Sequence, residues 1–370
     1  MYHHDSREYQ VSASEAAKRG REKMEAIIAK GRASAIAVVE QVQSQVPQDR
    51  IAPANRLTIG SGGDKYTLKI PETDAQFIHE HAIGQVAQKT NMPAKFLDDL
   101  SDKPWGRELV AHNLNTLLAH STSRHLIRSV NSEVRGFVSD RFRRLDSRPL
   151  LDAFILACKE IGALPIEGYA LDTKVRMRAV LPMVFEPAPN EVMLFGLEWG
   201  NSDFGDGGHC VRLWNQRIWC TNLAIIDEAL RQVHLGKRLD DNITYSDRTY
   251  RLDNEANASA LRDVVYESLS PVKVNQYLTY IKEAAEQKVG EKDVARILKA
   301  KLQKSEAEQV EAMFNGPDVL NLPEGKSTYR LSNAVSWFAQ TEGLSANRKL
   351  ELQKIAGDLL PGQHTKAREV

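Results

Sequence analysis

Cysteine is scarce in this 370-residue chain, which contains only Cys158, Cys210 and Cys220. A low and odd count argues against a disulfide framework and suits a reducing compartment. The first ten residues lack the apolar stretch of a secretory signal, and no run of about 18 apolar residues could cross a membrane. These absences predict a protein of the bacterial cytoplasm that has no membrane partner.

Net charge is absent as well, because Lys plus Arg and Asp plus Glu each number 49. A neutral total excludes a uniformly basic, histone-like protein. It still allows a local basic patch, which is what a phosphate backbone requires. The length and the 42% hydrophobic content are enough for one or two folded domains with a real core.

The order of strand-like and helical segments predicts an α+β fold. Strand patterns cover 133–139, 164–171, 174–184 and 191–200, and a helix begins near Ser147. Consecutive strands joined by short loops must pair antiparallel, because a parallel pair needs a crossover. We therefore expect a curved antiparallel sheet with helices on one face.

Three regions follow from the same pattern. Residues 1–50 read as an N-terminal amphipathic helical arm, 51–245 as an α+β core domain and 246–370 as a helical region. Within the core, 48–63 reads as a linker and 223–236 as a helix. The N-terminal helix either packs on its own domain or serves as an oligomerisation arm, and both alternatives stay open.

No enzyme signature is complete, so we expect no cofactor and a protein without enzymatic activity. The Gly/Asp-rich loop 201–208 offers weak metal candidates in Asp203, Asp206 and His209, but their spacing matches no EF-hand. The cysteines lack zinc spacing and are expected to be buried and reduced. A metal-dependent enzyme that uses these three residues remains the alternative.

Arginine is concentrated between residues 124 and 148. Seven arginines face three acidic residues there, which leaves a local charge of +4 in a neutral chain. Arg176 and Arg178 are two residues apart on a predicted strand, so their side chains project from one face. Arg212 and Arg217 flank Trp214 in the sequence. Cations interleaved with aromatics on a sheet are typical of proteins that bind single-stranded nucleic acid.

The residues predicted to contact nucleic acid are Arg128, Arg135, Arg141, Phe142, Arg143, Arg144, Arg176, Arg178, Arg212, Trp214 and Arg217. Phe142 and Trp214 are the predicted platforms on which bases would stack. The opposing interpretation is an internal ion-pair network with tryptophan in the core. A pocket for a small anion is the third possibility.

Four segments resemble the DUF932 family of phage- and plasmid-like proteins: VRGFVSDRFRRLD (134–146), FGLEWGNSDFGDGG (195–208), RIWCTNL (217–223) and RLSNAVSWFA (330–339). Leu223 departs from the family pattern, which has glycine there. The resemblance implies an origin in a mobile element but no settled activity. The outline of the middle region is also similar to Rad52-like phage annealing proteins, which bind single strands in rings without ATP.

These observations together predict a non-enzymatic protein that binds or anneals single-stranded DNA during phage or plasmid recombination or replication. We expect it to be a homo-oligomer. The second alternative, beside the metal-dependent enzyme, is a protein-binding module that acts on a host factor.

Overall fold

A computed structural model of the chain describes residues 8–219, 223–232, 245–316 and 322–360. The strands are β1 (Gln48–Pro53), β2 (Thr58–Gly62), β3 (Lys65–Lys69), β4 (Gln76–Ile78), β5 (Arg124–Val130), β6 (Glu133–Ser139), β7 (Leu164–Ala170), β8 (Val175–Val180), β9 (Met193–Asn201), β10 (His209–Arg217) and β11 (Leu223–Gln232). The helices are α1 (Glu15–Ser44), α2 (Glu80–Lys89), α3 (Ala94–Ser101), α4 (Pro104–Ala119), α5 (Ser147–Glu160), α6 (Asp247–Ser268), α7 (Pro271–Glu286), α8 (Glu291–Lys301), α9 (Lys304–Asn315), α10 (Thr328–Phe338) and α11 (Ala346–Asp358).

The strands β7 to β11 form an antiparallel sheet, sheet A, in the order β11-β10-β9-β8-β7, and it curls into a half-barrel. One face carries Met177, Leu197 and Leu213, which pack with Phe154 of α5 and Leu261 of α6 in the largest hydrophobic core. Alternation along each strand sends the intervening side chains to the other face. The predicted α+β class with a curved antiparallel sheet is confirmed.

A second sheet, sheet B, has the order β1-β5-β6-β4-β3-β2, with β4 and β6 parallel and the other pairs antiparallel. The helices α2, α3 and α4 pack on one face of it. The sequence did not indicate this sheet, and the predicted linker 48–63 contains β1 and β2. The pairing explains the omission, because β1 hydrogen-bonds β5, which is distant along the chain, and no local pattern reveals such a partner.

The predicted helix at 223–236 is wrong where the structure describes it. Residues Leu223–Gln232 form β11, which pairs antiparallel with β10. The Ala-, Leu- and Glu-rich sequence favours a helix, but pairing at the edge of sheet A outweighs that weak local preference. A bulge opposite Arg212 adjusts the register of this pair. Residues 233–236 lie outside the described residues.

The N-terminal helix α1 packs on its own sheet rather than standing apart. It lies against β7, where Ser34 Oγ accepts a hydrogen bond from Gly168 N at 3.0 Å. A Cβ at Gly31 would lie 1.4 Å from the carbonyl oxygen of Ile166, so glycine permits this close approach. The helix therefore covers an edge strand that would otherwise expose backbone groups.

We expect Gly31→Ala to lower the free energy of unfolding by about 1–3 kcal/mol, because the new methyl group forces α1 away from β7. Urea unfolding monitored by circular dichroism measures the change. Gly84→Ala in α2 is the matched control, since a Cβ there meets nothing within 4 Å. It should stabilise the protein by about 0.5–1 kcal/mol through helix propensity. Equal effects of the two substitutions would contradict this account of α1.

Candidate functional site

Arg128 is almost completely buried where the two sheets meet. Its Nε donates to Asp49 Oδ1 at 2.7 Å, its Nη2 to Asp146 Oδ1 at 2.6 Å and its Nη1 to the carbonyl oxygen of Asp203 at 2.7 Å. Burial alone would lower the pKa of Arg128, but the Asp146 and Asp49 carboxylates raise it above its ordinary value. We call Arg128, Asp49, Asp146 and Asp203 the sheet junction.

Three other arginines of the 124–148 segment are also neutralised within the chain. Arg135 Nε donates to Glu133 at 2.9 Å, and Arg143 Nε donates to Asp253 of α6 at 2.7 Å. Arg144 Nε lies 3.2 Å from Asp49 Oδ2. The hydrogen bond from Arg143 also holds the pKa of Asp253 below its usual value. Arg135 is thus paired within its own strand, Arg143 is tied to α6 and Arg144 to β1, so these three arginines do not form a free positive surface.

The arginines of sheet A belong to a row of alternating charges that crosses all five strands and ends on α11. We call this row the charge ladder, and its members in order are Glu167, Arg178, Glu198, Arg212, Glu228 and Lys354. Successive charged atoms lie between 2.7 and 3.1 Å apart. Arg176 and Arg178 do share one face, as predicted, but the carboxylates between the strands neutralise Arg178 and Arg212.

Arg217 forms a separate pair with Glu191, through bonds of 2.6 and 2.8 Å. The prediction of an uncompensated positive surface is therefore wrong for Arg128, Arg135, Arg143, Arg144, Arg178, Arg212 and Arg217. The physical reason is that carboxylates reach these guanidinium groups, from the same strand for Arg135 and from acids more distant in sequence for the others. Each buried cation would otherwise lose its hydration without compensation.

The two predicted stacking platforms are core residues. Trp214 is 0% exposed, and a Cβ at Gly196 would lie 2.3 Å from its ring, so the indole fills the space above a glycine in β9. Phe142 is 8% exposed and packs with Leu126 and Val138. Neither ring face is open to a base, so the prediction that they stack on nucleic acid is wrong.

The metal candidates of the 201–208 loop do not converge. Asp203 Oδ1 accepts bonds from Ser147 N and Oγ at 2.7 and 2.8 Å, whereas Asp206 pairs with Lys174 at 3.2 Å and His209 is buried in β10. Across the ranges that the structure describes, no group of three or more His, Cys, Asp or Glu side chains could hold a metal ion. The three residues are therefore not a metal centre.

The loop has a structural role instead. Asn201 Nδ2 donates to the carbonyl oxygen of Leu145 at 2.8 Å and to Ser147 Oγ at 3.0 Å, which ties the end of β9 to the start of α5. Gly136 of β6 lies against Phe204, where a Cβ would be 3.2 Å from the Phe204 Cα. The loop thus joins sheet A to sheet B.

Two of the cysteines, Cys158 and Cys210, are buried and free, as predicted. Burial raises the pKa of both thiols, which makes them poor nucleophiles at neutral pH. Cys220 lies outside the described residues.

One broad polar groove remains beside sheet B, with a volume of about 930 Å³. We call it the basic groove. Its walls come from the last turn of α2, the end of α4, the start of β5 and the residues after β6. Its ionisable lining residues are Lys89, His120, Arg124, His125, Asp140 and Arg141.

The basic groove keeps its positive charge. In the part of the chain that the structure describes, Lys89 and Arg141 form no ion pair, and Asp140 is the one acid that lines the groove. Burial, aided by the charge of Lys89, lowers the pKa of His125. Hydroxyls of Thr90, Ser121, Thr122, Ser123 and Ser139 complete the lining.

Among the residues predicted to contact nucleic acid, Arg141 is the one that lines the basic groove; Arg176 lies on the other sheet. Sequence reasoning did not select Lys89 or His120, because nothing in their local pattern distinguishes them from other exposed polar residues at helix ends. Their relation to Arg141 arises only when α2, α4 and β6 pack together.

Comparison with known proteins adds no relative: no family model, no curated protein and no solved structure matches this chain. The resemblance to the DUF932 family and to Rad52-like proteins therefore stays a prediction. In the described ranges, no helix has the length and apolar character needed to cross a membrane.

Asp203 should make stability depend on pH. Burial raises its pKa from 3.8 to about 6, so the carboxyl group favours folding while protonated, and that contribution is lost as pH rises through 6. Asp203→Asn cannot ionise. We expect the free energy of unfolding of this variant, relative to that of the wild type, to increase by about 2 kcal/mol between pH 4.5 and 7.5. Urea titrations at both pH values measure it.

Asp206→Asn is the control, because Thr173 and Lys174 outweigh burial and hold the pKa of Asp206 below its usual value. Its ionisation is complete before pH 4.5, so this variant should lose a similar amount of stability at both pH values. A pH-independent effect of Asp203→Asn would contradict the assignment of a raised pKa to Asp203.

Proposed function

We propose that this protein binds single-stranded nucleic acid without enzymatic activity, and that the basic groove holds phosphate groups of the backbone. The observation that carries the proposal is the pair of cations, Lys89 and Arg141, that face an open groove without a carboxylate partner in the described residues. Many of the other arginines that the sequence singles out are paired within the fold. In the basic groove, by contrast, several cations surround a single carboxylate.

The composition of the groove suits a phosphate backbone. An arginine fork and a lysine ammonium group can contact phosphate oxygens, and the hydroxyl of Thr122 can donate a further hydrogen bond. None of these contacts reads a base. We therefore expect little sequence preference from the groove itself.

Two exposed aromatic side chains support a preference for single strands. Phe77 is 52% exposed and Trp105 is 61% exposed. Each has a lysine nearby: Lys65 Nζ lies 5.7 Å from the Phe77 ring centroid, and Lys103 Nζ lies 5.5 Å from that of Trp105. Unpaired bases stack on such rings, at about 1–3 kcal/mol per base, whereas paired bases are not accessible to them.

The two aromatics lie near the same end of sheet B. Phe77 of β4 is directly opposite Thr67 of β3, so its ring shares a sheet face with Lys65 and Lys69. Arg107 Nη1, near the start of α4, donates to the carbonyl oxygen of Asp64 in the β2–β3 turn at 3.3 Å. This hydrogen bond brings the segment that carries Trp105 to the same hairpin. Phe77 and Trp105 thus replace Phe142 and Trp214 as the proposed stacking platforms.

The biological role that we propose is an annealing or strand-protecting accessory in recombination or replication of a mobile element. A homo-oligomer would align several grooves along one strand and so raise the affinity through multivalency. Both statements rest on the sequence resemblance together with the basic groove.

We expect the double variant Lys89→Glu plus Arg141→Glu to weaken binding of a single-stranded oligonucleotide at least tenfold, since each reversal replaces attraction for phosphate with repulsion. The dependence of log K on log salt should also become shallower, by about 0.7 for each phosphate that the variant no longer neutralises. Fluorescence anisotropy across a salt series measures both quantities.

The matched control is Lys159→Glu plus Arg148→Glu, which changes the net charge equally. Lys159 occupies the last turn of α5 as Lys89 occupies that of α2, and both control residues are exposed and lie outside the groove. The control should bind like the wild type. Equal reductions in affinity for the two double variants, or wild-type binding that does not change with salt, would contradict the proposed interface.

A further inference from the structure

We propose a second anion site, specific for a small phosphomonoester, in the cleft between sheet A and the first half of α11. The cleft has a volume of about 250 Å³. Its residues from sheet A are Glu167, Tyr169, Arg176, Arg178 and Glu198, and those from the C-terminal helices are Gln340, Ala346, Lys349, Leu350 and Gln353. Neither the basic groove nor the proposed nucleic-acid binding uses any of them.

The packing of α11 creates this cleft. Lys354 pairs with Glu228 of β11 at 3.1 Å, and a Cβ at Gly357 would lie 1.8 Å from the carbonyl oxygen of Ile225, so the second half of the helix lies directly on β11. The first half passes over β7, β8 and β9 without such close contact. The space beneath it remains open to one side.

Three members of the charge ladder line the cleft, and there the carboxylates of Glu167 and Glu198 exceed the cation of Arg178 by one charge. Burial alone would raise the pKa of Glu198, but Arg178, Arg176 and Arg212 hold it below its usual value, so this carboxylate stays ionised. Arg178 has acidic neighbours on both sides, in Glu167 and Glu198. The guanidinium group of Arg178 therefore already has two carboxylate partners.

Arg176 is the exception on this face. Its cross-strand neighbours are Tyr169 on β7 and Gly200 on β9, and neither carries a charge. Lys349 approaches the same cleft from α11. Within the described ranges, neither Arg176 nor Lys349 has an ion-pair partner. Among all the lining residues, the three cations Arg176, Arg178 and Lys349 exceed the two carboxylates, so the cleft carries a net charge of +1.

An amide that faces the cleft offers a further contact beside these charges. Gln353 is 8% exposed and lines the cleft, and its side chain forms no hydrogen bond with any described residue. Its amide atoms keep contact with the open cleft. A ligand with polar oxygen atoms can therefore accept a hydrogen bond from the Gln353 amide.

Charge and size select the class of ligand. A phosphomonoester carries about −1.5 to −2 charges at pH 7, so the net positive charge of the cleft attracts it and its oxygen atoms can contact both Arg176 and Lys349. The N-terminal turn of α11 lines the cleft at Ala346 and adds its positive dipole end. The cleft volume of about 250 Å³ lies just below the range of about 300–1,000 Å³ that is typical of small-molecule pockets, which favours a small organic phosphate over a length of polymer.

The test uses the full-length protein with ribose 5-phosphate and adenosine 5′-monophosphate as probes, and with ribose as the uncharged control, all at constant ionic strength. Thermal unfolding identifies binding and calorimetric titration gives the affinity. We expect at least one phosphomonoester, but not ribose, to raise the melting temperature. Arg176→Gln and Lys349→Gln should each weaken that binding at least tenfold.

Two further variants make the result decisive. Ala346→Trp fills the cleft and should abolish binding, whereas Arg141→Gln, in the basic groove, should leave it unchanged. Stabilisation by neither phosphomonoester, or unchanged affinity in both Arg176→Gln and Lys349→Gln, would overturn the site. Because the Arg141 variant separates the two surfaces, failure of nucleic-acid binding and failure of this site can be told apart.

Discussion

The buried guanidinium of Arg128 is the interaction on which the arrangement of the two sheets depends. It lies on β5 of sheet B and bonds at once to β1, to the start of α5 and to the loop that follows β9 of sheet A. The planar guanidinium group has five N–H donors and can therefore bond acceptors in three directions at once. A lysine ammonium group, on a flexible chain and with three donors, is less suited to this. Its three partners are acceptors, so the charge is compensated where water is excluded.

The contact between the two sheets explains the role of two motif-like segments of the sequence. The segment VRGFVSD places Gly136 against Phe204 of the segment NSDFG, and Asn201 and Asp203 of the latter fix the start of α5. Such residues dock one sheet on the other. This architectural role is compatible with many activities.

Positive charge in this protein is distributed between two roles. Most arginines of the patterned middle region neutralise carboxylates inside the fold, in the sheet junction and the charge ladder. Other cations are exposed and unpaired, and two pairs of them line concave sites: Lys89 and Arg141 in the basic groove, and Arg176 with Lys349 beneath α11. Desolvated ion pairs specify how the elements pack, whereas the unpaired cations are available to a ligand. The density of arginine in the sequence therefore did not locate the candidate sites.

The sequence by itself determined the α+β class, the strands β6 to β9, the helix at α5 and the shared face of Arg176 and Arg178, because these follow from local periodicity. Only the tertiary structure decided that β11 is a strand, that sheet B exists and that Trp214 is buried. It alone also decided which arginines are paired, since Asp49 and Asp253 reach Arg128 and Arg143 across 79 and 110 residues. A charge is compensated by its neighbours in space, and spacing along the chain does not encode them.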